Sequence, residues 1–124
     1  MDNELKVGME YAVEHIVREN ETALAYDSGA QEVFATPALV SIMECAAFTM
    51  AKKMGIDTVG TIVNIVHKKA CKVGTKIRSV ATLTAVDGKK LTYRVAVYDQ
   101  AGTVLGEGTH GRYIIDPDKF MSNL

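Results

Sequence analysis

From Ala38 to Met54 the chain runs without a helix breaker, and it is apolar almost all round: Leu39, Val40, Ile42, Met43, Ala46, Ala47, Phe48 and Met50. A helix with no polar face has to be buried on most of its sides. At about 27 Å for 18 helical residues, it needs a cover of comparable length. Thr36 reads as its N-cap and Pro37 as its first helical residue. Gly55 reads as the residue that ends it.

The cover follows in the sequence, where the apolar period changes from helical to alternating. Val59 to Lys68 is rich in β-branched residues and reads as an inner strand. Thr75 to Val86 and Lys90 to Asp99 read as strands joined by a hairpin turn at Asp87-Gly88. Gln100-Ala101-Gly102 turns again, and Thr103 to Ile115 is the last strand, stopped by Asp116-Pro117. The tail from Asp118 to Leu124 reads as frayed. Before the helix, Met9 to Arg18 alternates as a half-buried strand, with Met9, Tyr11, Val13 and Val17 on one face. Asn20 to Ala35 lacks a period and contains the turn cluster Asp27-Ser28-Gly29. A connection of that length is commonly a lid or a binding loop.

One buried helix and five strands imply an α+β fold with an antiparallel sheet wrapped around the helix. A single domain over residues 1–124 is expected, with neither linker nor repeat. Such a sheet leaves two edges, and pairing edge to edge with a second copy covers one of them.

Charge narrows the function classes. The 14 Lys and Arg nearly balance the 15 Asp and Glu, so the basic excess of a nucleic-acid binder is missing. The opening Met1-Asp2-Asn3-Glu4-Leu5-Lys6 has neither a basic start nor an apolar run, and no stretch has the length of a membrane span. A cytoplasmic protein without a membrane partner is expected. Cys45 and Cys71 have no CxxC spacing and read as reduced structural thiols. No metal-ligand pattern is present, and no metal is expected.

Glu44 is the most informative single residue, a carboxylate in the middle of an apolar helix. Partial desolvation there would tune it as a base or nucleophile, although a structural ion pair is the simpler role. His67 ends the inner strand on the face of Val63 and Ile65. It reads as a proton shuttle or as a satisfied edge histidine, and His15 and His110 as structural histidines. The Thr36 hydroxyl stands at a helix N-terminus, where a developing oxyanion is stabilised. Thr36 and Glu44 are separated by roughly 12 Å of helical rise. A third group such as His67 must lie between them, or one member must come from a second subunit. Lys68, Lys69, Lys72 and Lys76 form a cluster that could meet ligand phosphates or simply be solvated. Gly106-Glu107-Gly108-Thr109-His110-Gly111 matches GxGxxG by chance, because it lies in a strand with no helix after it. Its glycines instead admit a close neighbour.

The chain resembles hotdog-fold acyl-CoA thioesterases of the fluoroacetyl-CoA thioesterase-like branch. The resemblance lies in Glu32-Val33-Phe34-Ala35-Thr36-Pro37, Met43-Glu44, Val59-Gly60-Thr61 through Val66-His67, Val86-Asp87-Gly88-Lys89-Lys90-Leu91, and Gly106 through Arg112. It implies a hotdog homodimer with its sites at the subunit interface, and hydrolysis of an acyl-CoA to the free acid and CoA. The family's catalytic Thr, Glu and His fall on Thr36, Glu44 and His67. Its substrate-binding glycine and arginine fall on Gly60 and Arg112. No cofactor is implied, since coenzyme A is part of the substrate. The fluoroacetyl-specific type carries lid phenylalanines where this chain has Asp27 and Ala30. A short- or medium-chain acyl group is therefore the implied substrate. A non-catalytic acyl-CoA-binding module is the alternative, and a hydratase a more distant one.

Overall fold

The computed structural model describes residues 4–124, so Met1, Asp2 and Asn3 of the N-terminal reading lie outside the described residues. The elements are β1 (Glu10–Ile16), α1 (Thr36–Lys52), β2 (Asp57–His67), β3 (Lys76–Asp87), β4 (Lys90–Asp99), β5 (Val104–Ile115) and α2 (Pro117–Ser122). The five strands form one antiparallel sheet in the order β1-β3-β4-β5-β2, with β1 and β2 at the edges.

The sheet wraps α1, which packs against β1, β2, β3 and β4. Alternation on β3 turns Ile77, Ser79, Ala81 and Leu83 inward, and on β4 Leu91, Tyr93, Val95 and Val97. Leu39, Met43, Ala46, Ala47 and Met50 meet them from the helix. Each large side chain buried there contributes about 1.5–3 kcal/mol, and the alanines let helix and sheet approach closely. The buried Ser79 hydroxyl donates to the Ile42 carbonyl at 2.9 Å, whereas the buried Tyr93 hydroxyl has no hydrogen-bond partner.

Five details differ from the sequence reading, the first being that β2, read as an inner strand, lies at an edge of the sheet. Thr36 is the first residue of α1 and not its cap; Ala35 holds the cap position and contributes no side-chain bond. The helix ends at Lys52, and its last turn tightens through Met54 N–H to Ala51 and Gly55 N–H to Lys52 before Gly55 takes φ +77°. One stripe of α1, Pro37, Ser41, Cys45, Phe48 and Lys52, remains exposed, so Cys45 is a surface thiol and only Cys71 is half-buried. The tail forms α2, capped by the Asp116 side chain accepting from Lys119 N–H at 3.2 Å.

The connection before α1 is ordered by its own pairings. Ala23 N–H donates to Val33 C=O and Leu24 N–H to Gln31 C=O. Phe34 is buried. Asp27 (φ +56°) and Ala30 lie exposed at its tip. His15 Nε2 meets the Glu21 carboxylate at 2.7 Å and braces the start of this connection. His15 is therefore structural.

Candidate active site

The edge strand β2 carries the site. Strict alternation would put Gly60 and His67, seven positions apart, on opposite faces. The pairing with β5 slips between Gly60 and Ile62, leaving Thr61 as an extra residue. Residues on both sides of the slip then look toward α1: Thr58 and Gly60 before it, Ile65 and His67 after it. α1 runs antiparallel to β2, so Gly60 lies beside Glu44 and His67 lies beside Thr36.

At the His67 end, the Thr36 hydroxyl and His67 Nδ1 are hydrogen-bonded at 2.8 Å. Thr36 is free for this because it does not cap the helix. His67 Nε2 is buried with no hydrogen-bond partner. Burial holds the imidazole below its ordinary pKa, and the Lys69 backbone opposes this only in part.

At the Glu44 end, Arg112 is 6% exposed and surrounded by acceptors. Its Nε donates to Thr58 Oγ1 at 2.8 Å, its Nη2 to the Thr58 carbonyl at 3.2 Å, and its Nη1 to Glu44 Oε2 at 3.2 Å. Burial lowers the guanidinium's pKa and Glu44 opposes the loss. His110 is 1% exposed. Its Nδ1 lies 2.7 Å from the Ile62 carbonyl and its Nε2 3.1 Å from Arg112 Nη1. The Glu44 side chain itself is 40% exposed, so the carboxylate is held from behind by Arg112 and open in front. Gly60 makes the arrangement possible: a Cβ there would run into Glu44 Oε2 and crowd Arg112 Nη1 at 3.3 Å.

Thus Glu44, Gly60 and Arg112 are brought together, and so are Thr36 and His67, but the two groups are separate within one chain. The sequence reading missed Thr58 and His110. Their signal was spacing, since His110 and Arg112 are two apart on a strand and share a face. The lysine cluster divides. Lys68 pairs with Glu107 at 2.5 Å, and Arg94 reaches the same carboxylate at 3.7 Å. Lys76 starts β3, which β4 and β5 separate from β2 in the sheet. Gly108 admits the Asn64 carbonyl and Gly106 admits Leu39, the close approach their spacing suggested. Among the described residues, no three His, Cys, Asp or Glu side chains are grouped to hold a metal, and no helix is long and apolar enough to cross a membrane.

Residues 17–118 match the family model described as fluoroacetyl-CoA-specific thioesterase. The chain belongs to that family. A fluoroacetyl-CoA thioesterase of Streptantibioticus cattleyicolor is 33% identical over 96 residues, 75% of this chain and 68% of the relative. A solved structure of the fluoroacetyl-CoA thioesterase FlK superimposes with a TM-score of 0.88 at 28% identity, covering 97% of this chain and 95% of that one. A hot-dog-like protein from Thermanaerovibrio acidaminovorans reaches 0.83 at 18% identity, over 94% of this chain and 88% of its own. The fold is therefore the hotdog, with the long helix wrapped by the antiparallel sheet.

Proposed function

We propose that this member of the fluoroacetyl-CoA-specific thioesterase family hydrolyses a short- or medium-chain acyl-CoA to the free acid and CoA. In this reading it acts as a homodimer whose two sites each take Glu44 from one protomer and Thr36 and His67 from the other. The observation that carries the reading is the layout of β2. Gly60, beside Glu44, and His67, beside Thr36, are equidistant from the point between Val63 and Asn64. An antiparallel two-fold pairing of β2 edges about that point sets Gly60 opposite the partner's His67. The slip at Thr61 already turns both toward the helices. Ile62, Val63 and Val66 are 59%, 44% and 60% exposed on this edge, an apolar surface suited to a second copy.

The chemistry follows from the groups so assembled. Glu44 takes a proton from water as the water oxygen bonds to the thioester carbonyl carbon. The tetrahedral oxyanion collapses and the carbon–sulfur bond breaks. The partner's His67, held by the partner's Thr36, accepts that proton from Glu44 and passes it to the departing thiolate. One water is consumed, and one acid and one thiol are released. Arg112 and Gly60 keep the Glu44 carboxylate facing the acyl group. Asp27 and Ala30, where the fluoroacetyl-specific type carries lid phenylalanines, support an acyl group of more than two carbons.

A panel of acyl-CoAs assayed for free thiol release tests this. Turnover of short- or medium-chain thioesters is expected, with a loss of more than about a hundredfold in Glu44→Ala while the protein remains a folded dimer. Acyl-CoA binding without thiol release would assign a binding module instead. Unchanged turnover by Glu44→Ala would remove this carboxylate from the reaction.

A further inference from the structure

His110 is the most deeply buried ionisable group beside Glu44, and thioester hydrolysis by Glu44 and His67 does not use it. Its surroundings determine which ring nitrogen carries the proton. The Ile62 carbonyl, 2.7 Å from Nδ1, can only accept, so Nδ1 carries hydrogen. Arg112 Nη1, 3.1 Å from Nε2, can only donate, so Nε2 must present its lone pair. A charged imidazole would set N–H against N–H. Burial, the largest influence, and the Arg112 charge both hold His110 in the neutral form, against the opposing pull of the Ile62 carbonyl and Glu44.

We propose that His110 is a positioning residue for Glu44. Its neutral ring is held by the Ile62 carbonyl and accepts from Arg112 through Nε2, which fixes the guanidinium against the Glu44 carboxylate. The proposal rests on Glu44 being the base of the proposed hydrolysis.

Three observations converge on this. Arg112 Nη1 is shared between His110 Nε2 and Glu44 Oε2, so its two hydrogens are directed by two acceptors at once. His110 Nε2 is only 3.8 Å from Glu44 Oε2. A protonated ring would therefore compete with Arg112 for the carboxylate. The ring has little freedom to turn: Tyr93 stacks on it with centroids 6.3 Å apart, and Gly60 lies against its Cε1 side. The titratable or charged groups facing it are Glu44 from α1, Tyr93 from β4 and Arg112 from β5. β2 contributes the Ile62 carbonyl and the backbone at Gly60. The slip at Thr61 lies next to this carbonyl, so one irregularity serves both ends of the site.

The ring nitrogens of the wild-type protein, read by long-range proton–nitrogen NMR, should show a protonated Nδ1 and a free Nε2 at neutral pH, with protonation only below the ordinary histidine range. A protonated Nε2 at neutral pH overturns the proposal without any variant. His110→Phe keeps the ring and removes the acceptor. It should lower kcat about tenfold or more, leave KM nearly unchanged, and move the acid limb of the pH–rate profile upward. His110→Gln, which can place an oxygen near the Nε2 position, should restore kcat and the limb, whereas the shorter His110→Asn should not. If the Phe variant does not fold, the Gln and Asn comparison decides alone. Equal kcat and equal acid limbs in the variants and the wild type overturn the positioning role. Glu44→Gln tested beside them separates the two readings, because full turnover there removes the role of Glu44 whatever His110 does.

Discussion

The Thr36 hydroxyl reaches His67 Nδ1 at 2.8 Å across 31 positions of sequence, joining the first turn of α1 to the last residue of β2. Glu44 stands two helical turns further along, beside the other end of that strand. The groups proposed as catalytic therefore lie in two places within one chain, and a second copy is what would unite them.

Complementation tests that union directly. Glu44→Gln and His67→Gln proteins should each be nearly inactive. Mixed and allowed to exchange subunits, they should recover about a quarter of the wild-type activity, since half the dimers are mixed and each contains one intact site. No recovery in a mixture shown by mass spectrometry to contain mixed dimers would place the site within one chain.

Gly60→Ala should separate activity from folding. The added methyl meets Glu44 Oε2 at the end of a side chain that is partly in solvent, so the carboxylate swings away and the backbone remains. Thiol release should fall by about tenfold or more, as for a misplaced catalytic group. Thermal unfolding should shift by no more than a surface change would. Wild-type turnover in this variant would show that the carboxylate's position does not matter.

Gly108→Ala should instead unfold the protein more easily. Its Cβ would overlap the Asn64 carbonyl oxygen and lie 2.6 Å from Ile65 Cα, which are backbone atoms of the neighbouring strand. Forcing β2 away from β5 costs on the order of 1–3 kcal/mol, read as a lowered Tm. Gly106→Ala meets the buried Leu39 side chain at 2.6 Å but comes no nearer than 3.1 Å to the backbone, at the Val66 carbonyl, and should cost less. The reverse ranking would contradict the packing of β5 against β2.

Stability should decline as the solution is acidified from neutrality. His67 and His110 are both held below the ordinary value of 6.5, chiefly by burial. Below that value the unfolded chain takes up protons that the folded protein resists, so the unfolded state is favoured progressively until the folded pKa values are reached. Glu21, its carboxyl lowered by His15 and Arg18 against a desolvation that raises it, adds a further loss in the carboxylate range. Denaturant unfolding at a series of pH values reads this. The decline between pH 6.5 and the carboxylate range should shrink in His110→Gln, and a slope equal to that of the wild type would count against the buried neutral ring.

Much of this was legible from local pattern. The all-apolar helix forced a wrapping sheet, and Lys90–Asp99 falls where its alternation placed it. Glu44 stood out because a carboxylate in such a helix has to be accommodated. What escaped depended on partners distant in sequence. Thr36 has the side chain of a cap, but a histidine on β2 takes its hydroxyl instead. Gly60 could not be related to His67 by period, because one unpaired residue changes the alternation between them. His110 looked like an ordinary core residue, since a strand pattern reveals a shared face but not the guanidinium and carboxylate that a helix brings up to it. The tail was read as frayed because six helical residues with one side-chain cap leave a weak periodic signal.

The exposed row of Ile62, Val63 and Val66 also bears on how the protein is made. A freshly folded single copy carries a bare strand edge with apolar side chains, and such an edge pairs with whatever strand arrives first. In the proposed dimer, assembly and aggregation would compete for the same surface, and the yield of active protein would depend on the rate of correct encounter as much as on the stability of the folded chain.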